Sequence, residues 1–323
     1  MTSHRVLSTR TILLWGAGLF VLATTAAITL LSTLGGGRPE DSARLDALRT
    51  AANVVVGTGG AAALLLAARR QRSAELDLVQ KDHDATQRRV TEMYSKAAEQ
   101  LGSDKAPVRL AGLYALERLA QEHEEQRQTI VNVLCAYLRM PFQHDPEDEE
   151  NRQELQVRRT AERVLTLHLR PGKDGENPAY WPDVDLDLVG ATLTNFTFTH
   201  CRVRSAVFYG ATFVGTTSFR GTSYVSKADF KNTVFDGLVD FRSVDFGAAG
   251  GSFAGARFEN EVDFGEKTEA RLTGAATRTD HGLRRKWPRG WTERARAGDD
   301  VWSDLVSGPS PERPSADSVA VDA

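Results

Sequence analysis

Residues 208–264 read FYGATFVGTTSFRGTSYVSKADFKNTVFDGLVDFRSVDFGAAGGSFAGARFENEVDF, with an aromatic every five to seven positions. Phe208, Phe213, Phe219, Tyr224, Phe230, Phe235, Phe241, Phe246, Phe253, Phe258 and Phe264 keep the beat, and Tyr209 alone stands off it. This spacing fits neither a helix of 3.6 residues per turn nor a strand of period two. It is the spacing of a solenoid, in which short units stack and bury their apolar residues against their neighbours. A run of ordinary β-hairpins would need alternation of period two, which this stretch lacks.

Two residues before many of the large residues sits a small one. Gly-Ala-Thr-Leu ends at Leu193, Gly-Ala-Thr-Phe at Phe213 and Gly-Ala-Arg-Phe at Phe258. Steps of five back from Phe208 reach Val203, Phe198, Leu193 and Leu188. The small partners are Ala191, Cys201, Ala206, Ala211, Ala228 and Ala256, with Thr217, Thr222 and Thr233 nearly as small. A narrow stacked coil needs this pairing, with large residues forming columns and small ones fitting the corners. In these residues the chain resembles the pentapeptide-repeat family, whose unit is small–x–large–x–x. The resemblance implies a right-handed quadrilateral β-helix with four units per turn. From Phe213 onward, steps of five and six mostly alternate, and an extra residue on alternate faces would sit as a bulge at a corner. Phe196, Leu186, Val239 and Val244 are large for the small position. Residues 184–265 would form about sixteen units in about four turns, a rod about 20 Å long at strand spacing.

The rest of the chain surrounds this repeat with other material. Thr11–Leu34 is 24 residues without a charge, long enough to cross a bilayer as a helix. Thr50–Ala68 is a second uncharged run of 19, rich in Ala and Gly, whose Gly57, Gly59, Gly60 and Ala61 would let a membrane helix approach closely, with Gly16 and Gly18 answering from the first span. Residues 1–72 are therefore expected to form a two-helix transmembrane hairpin with spans at about 11–34 and 50–68, joined by a loop at Gly35–Arg49. Arg5 and Arg10 before the first span and Arg69, Arg70 and Arg72 after the second place both termini and the repeat in the cytoplasm, on a multi-pass protein of the cytoplasmic membrane. The hairpin holds no intramembrane charge that would mark an ion path.

Residues 73–170 read as a helical stalk and a small antiparallel helical array. Over Ser73–Leu101, Leu76, Val79, His83, Thr86, Val90, Met93 and Ala97 recur at coiled-coil spacing. The same residues also suit a helix whose far end packs on its neighbours while the near end is a solvated stalk. Pro107 suits a first turn, and apolar faces follow over Val108–Ala120, Gln126–Arg139 (stopped by Pro141) and Gln153–Arg170. These helices look like HEAT-type repeats, and Lys96–Met140 resembles a segment upstream of the repeat in bacterial membrane-anchored pentapeptide-repeat proteins. The last helix and Tyr180-Trp181-Pro182 are expected to cap the start of the rod. Residues 266–302 would form a basic cap with Trp287, Trp291 and Trp302, and residues 303–323 a disordered tail rich in Pro and Ser.

Chemistry is harder to find than architecture. The net charge of −3 gives no basic footprint for nucleic acid, and none is expected as a partner. Arg outnumbers Lys 32 to 8, the balance of a GC-rich genome. Cys135 and Cys201 give neither a disulfide framework nor zinc spacing, and read as buried structural thiols. The histidines His4, His83, His123, His144, His168, His200 and His281 stand at no metal spacing. Asp183, Asp185 and Asp187 alternate as cation ligands would, and also as a solvated strand face would. No catalytic, cofactor-binding or metal site is expected, and no cofactor. The chain is expected to be a non-enzymatic scaffold anchored in the lipid bilayer, presenting its β-helix to a protein partner. Arg271–Arg296, with eight basic and two acidic residues, could contact anionic lipid. Two alternatives stay open. One is regulation of DNA gyrase or nucleic acid by mimicry of duplex DNA, as the family resemblance implies for some members. The other is a membrane enzyme.

Overall fold

The computed structural model describes residues 41–142, 147–279 and 282–308, together with Gly18, Val21, Thr25, Thr29 and Thr33. Apart from those five residues the first apolar run lies outside the described residues, as do the start of the connecting segment and the tail beyond Gly308. The chain forms two compact units, Met1–Gln87 and Arg88–Ala323.

Among the described residues four long α-helices precede the sheet region: α1 (Asp41–Leu101), α2 (Ala106–Glu122), α3 (Arg127–Arg139) and α4 (Glu149–His168). The expected loop at Gly35–Arg49 gives way to helix from Asp41, and α1 runs unbroken through Thr50–Ala68 and the stalk. Its Ala, Leu, Arg and Glu are strong helix formers, and no proline stands between Pro39 and Pro107 to stop it. Among the described residues no helix is long and apolar enough to cross a membrane. Gly57, Gly59 and Gly60 have open space around them. Of the heptad-spaced residues, Leu76 and Val79 are exposed, whereas Val90 and Ala97 are buried. The far end of α1 thus packs on its neighbours, with Gly112 of α2 lying so close that a methyl group there would meet Ala97 O at 2.8 Å.

Helix α2 starts at Ala106 with Pro107 in its first turn, and α3 ends just before Pro141. Helix α4 begins four residues earlier than its apolar pattern, because Asp148 accepts from Glu150 N–H and Asn151 N–H as an N-cap. Arg158, buried on α4, donates to Leu138 O and Met140 O and so satisfies carbonyls at the end of α3.

From Asp185 the chain winds into a β-solenoid of about five turns, one more than the repeat count predicts. One face stacks β1 (Asp185–Asp187), β3 (Arg202–Val207), β6 (Ser223–Asp229), β9 (Gly251–Ser252) and β12 (Ala270–Arg271). A second stacks β2 (Thr192–Thr194), β4 (Thr212–Val214), β7 (Val234–Asp236), β10 (Arg257–Phe258) and β13 (Ala276–Arg278). A third stacks β5 (Thr217–Ser218), β8 (Val239–Asp240), β11 (Val262–Asp263) and β14 (Arg285–Lys286). All these pairings are parallel.

The aromatic beat becomes columns inside the rod. Phe208, Phe230 and Phe253 stack with ring centroids 4.8 Å apart. Phe213, Phe235 and Phe258 stack at 5.2 and 5.0 Å. Phe219, Phe241 and Phe264 stack at 5.1 and 4.7 Å, and Tyr224 faces Phe246 at 6.0 Å. Rings in neighbouring columns meet edge to face, as Phe219 and Phe230 do at 5.3 Å and 83°. The large residues at small positions, Leu186, Phe196, Val239 and Val244, are all buried.

Corners follow from the Gly-Ala pairs. Ala191, Ala211, Thr233, Ala256 and Ala275 each donate their N–H to the carbonyl three residues back. The residue before each has φ between 55° and 76°, which is why Gly or Asn occupies it. Turns differ in length: Leu193 pairs with Phe213, Phe213 with Phe235, Phe235 with Phe258, and Phe258 with Thr277, steps of 20, 22, 23 and 19 residues. The register between β3 and β6 shifts after Val203, leaving Val225 and Ser226 as an exposed bulge at a corner.

Both ends of the rod are covered. At the first turn, Gln128 of α3 donates to Asp185 O and accepts from Asp185 N–H, each at 2.9 Å, in the manner of a neighbouring strand. At the last, β16 (Asp299–Ser307) pairs antiparallel with β13, and β15 (Trp291–Arg296) with β16. Order therefore continues past Trp302, where the tail was expected to begin. Trp287 packs against Phe258 at 5.2 Å and Phe264 at 6.2 Å.

Candidate functional site

Helix α4 is caught between the other helices and the first solenoid turn, so it is buried nearly all round between Val157 and His168. Polar residues at Arg158, Thr160, Glu162, Thr166 and His168 are consequently buried along with the apolar ones. Thr166 Oγ1 donates within its helix to Glu162 O at 2.9 Å and across to Thr197 O at 3.1 Å. Arg170 donates to Thr199 O at 2.7 Å and Thr199 Oγ1 at 2.6 Å. His168 stacks on Trp181 at 4.0 Å, with Nδ1 2.7 Å from Ala179 O and Nε2 2.8 Å from Glu117 Oε1. Trp181 Nε1 donates to Gln121 Oε1.

Beside this joint lies a cleft of about 450 Å³. Arg159, Glu162, Arg163 and Thr166 line one wall at spacings of three or four residues, the face of one helix, joined by Arg170 just past the helix end. Thr194, Asn195 and Thr197 line the other. Glu162 is only 9 % exposed, yet its carboxyl makes no hydrogen bond or ion pair among the described residues. Burial pushes its pKa up to about 8 against the opposing pull of Arg159 and Arg158. Arg163 donates from one nitrogen to Tyr114 Oη at 2.6 Å. This cleft has the marks of a binding site: concavity, concentrated charge and a displaced titration. Its residues were absent from the sequence expectation of no site. The signal present was the spacing of Arg159, Glu162, Arg163 and Arg170, which an exposed helix face would share.

A second cleft, of about 260 Å³, lies on the face of β8, β11 and β14. There Arg242 holds Asp240 through Nε at 2.9 Å and Nη2 at 2.7 Å and reaches Asp263 at 3.5 Å. The side chain of Arg285 is 4 % exposed and meets Glu293 at 3.4 Å, while its Nε and Nη2 have no partner among the described residues.

Residues singled out by sequence are placed as follows. Cys135 and Cys201 are buried free thiols, and burial pushes both up to about 12. Asp185 accepts from Arg204 and Ser205, and Asp187 pairs with Arg139, so neither is arranged as a cation ligand. Among the described residues no group of His, Cys, Asp and Glu could hold a metal. His4, His144 and His281 lie outside the described residues. The basic segment is dispersed: Arg271 donates to Ala249 O, Lys286 pairs with Glu266, and Arg296 pairs with Asp299 and Asp304. No family model matches this chain, and no curated protein or solved structure matches it.

Proposed function

We propose that this protein is a non-enzymatic, membrane-anchored scaffold whose short solenoid, of the pentapeptide-repeat type, presents a flat side-chain surface to a protein partner. The observation carrying this is the second face of the rod. There Thr192, Thr212 and Val234 stand in register on successive turns, half-buried and weakly polar, with Val214 beside them. Backbone groups along the turns are taken up by the turn above or below, so binding would come from side chains held by the aromatic columns. Membrane anchorage rests on the uncharged runs at residues 11–34 and 50–68 and on the exposure of Val56, Leu64, Leu65 and Leu66 along α1, which calls for a covering of lipid or another helix.

Mimicry of DNA is disfavoured by the charge pattern. Residues 181–264 carry ten acidic and seven basic residues, and Asp185, Asp229, Asp240 and Asp263 each sit within 4 Å of an Arg or Lys nitrogen. The His168–Glu117 pair is a structural clasp in this scheme, its ring covered by Trp181.

The test is photo-crosslinking in cells from a reactive residue placed at Thr212, Val234 or, as a different face, Lys227. A discrete protein adduct from the first two positions and not the third supports the scaffold. Absence of adducts at all positions sinks it. Release of the chain from membranes by alkaline carbonate would remove the anchor from the proposal and leave the binding surface standing.

A further inference from the structure

The cleft between α4 and the first solenoid turn holds three guanidinium side chains against one carboxyl. Among the described residues Arg159 makes no hydrogen bond or ion pair, Arg163 uses one nitrogen on Tyr114, and Arg170 binds Thr199 through Nε and Nη2. Glu162 is nine-tenths buried, lines the same cleft and lacks a partner among those residues. The geometry points to a site for a phosphate group, held by Arg159, Arg163 and Arg170 with Glu162 as a hydrogen-bond donor.

Several features choose phosphate over other ligands. Guanidinium forks match the oxygens of a phosphate, and three of them suit a dianion better than a single carboxylate. A cation would face these three charges. An apolar ligand would leave the buried carboxyl unanswered, at the cost attached to any unpaired buried polar group. Glu162 is faced on its own helix by Arg158 and Arg159, and from the solenoid by the uncharged Thr194, Asn195 and Thr197. Its acid form, favoured up to about pH 8 by burial, donates to a phosphate oxygen, and its anionic form would repel one. The cleft, at about 450 Å³, takes a phosphate monoester with a short organic group. The ester could be a small metabolite or the head group of an acidic phospholipid.

Thermal unfolding of the detergent-purified full chain tests this with three probes: inorganic phosphate, glycerol phosphate and short-chain phosphatidic acid. A saturable rise in Tm at pH 7 is expected, weakened at least about tenfold in Arg159→Ala, an exposed position whose own Tm should not change. Glu162→Gln should keep binding at pH 7 and lose the weakening that the wild type shows above about pH 8. Phosphatidic acid binding at least about tenfold tighter than glycerol phosphate assigns the site to a lipid head group, and equal binding assigns it to a soluble ester. No saturable effect from any probe, or effects undiminished in Arg159→Ala, overturns the site.

Discussion

Three hydroxyls in the solenoid are buried with nothing to bond among the described residues: Thr194 Oγ1, Thr217 Oγ1 and Tyr224 Oη. Elsewhere the small position solves this problem. Thr233, Thr268 and Thr277 donate to the carbonyls of Phe208, Phe241 and Phe258 on the turn before, at 2.8, 3.1 and 3.1 Å. Tyr224 stands at a large position, where the ring fills the column and the hydroxyl is carried into an apolar interior. Burial accordingly raises its pKa well above the usual phenol value. Tyr224→Phe should stabilise the protein by about 1 kcal/mol, read as a higher denaturant midpoint at unchanged slope. Glu162 makes a second case. Folded, it keeps its proton up to about pH 8, whereas the unfolded acid loses it near the ordinary carboxylate value. The unfolded state then binds fewer protons, so stability falls as pH rises through that window and levels off above it. Glu162→Gln should therefore gain stability over the wild type as pH is raised from 5 to 8, by roughly 1.4 kcal/mol for each step of one in pH. A gain independent of pH would show that the carboxyl is not buried as an acid. Cys135 and Cys201, pushed to about 12, should resist thiol reagents at pH 8 until the chain is unfolded.

At the scale of elements, Phe219 is the hub of the aromatic core, meeting the rings of Phe196, Phe198, Phe208, Phe213, Phe230 and Phe241. Phe219→Ala should cost about 3–5 kcal/mol, and Phe219→Leu markedly less, measured by chemical denaturation. This part of the fold was legible because a solenoid writes its inward positions directly into the spacing of its large residues. The Gly before several small residues stood in the quoted repeat, but the positive-φ corner it serves is seen only in the folded chain. Helix α4 was less legible. Its burial on two sides places Arg158, Glu162 and His168 inside, where an amphipathic pattern assigns the water face, and the cleft went unread for the same reason. The capping role of Asp148 was hidden in an acidic run that resembles a plain loop. Continuity of α1 through Arg44, Asp46 and Arg49 was missed because charges between two apolar runs look like a connection, although those residue types suit a helix.

For the molecule as a whole, the division at Gln87 separates a helix with exposed side chains from a unit with a continuous core. Hydrogen exchange should show slow amides from Val90 to Leu305 within the core elements and fast exchange over residues 69–87. Slow exchange over 69–87 would reveal a second helix lying along the heptad-spaced residues. The core that joins α2, α3 and α4 to the solenoid, through Trp181 and Leu169, predicts one unfolding transition for Arg88–Ser307.

The unequal turns have a mechanical consequence. The last turn is covered by β16, bonded along its backbone to β13, whereas the first is gripped chiefly by side chains of the helices. A pull on Ser307 breaks the ladder one bond after another, and each turn it frees lengthens the chain by its own number of residues. Steps of 19, 23, 22 and 20 residues, from the far end inward, are increments of roughly 65–80 Å when extended. Stretched from its C-terminal end, this rod would unwind as a ratchet whose teeth differ in size, so that the order of the steps in a force trace reports which turn has come undone.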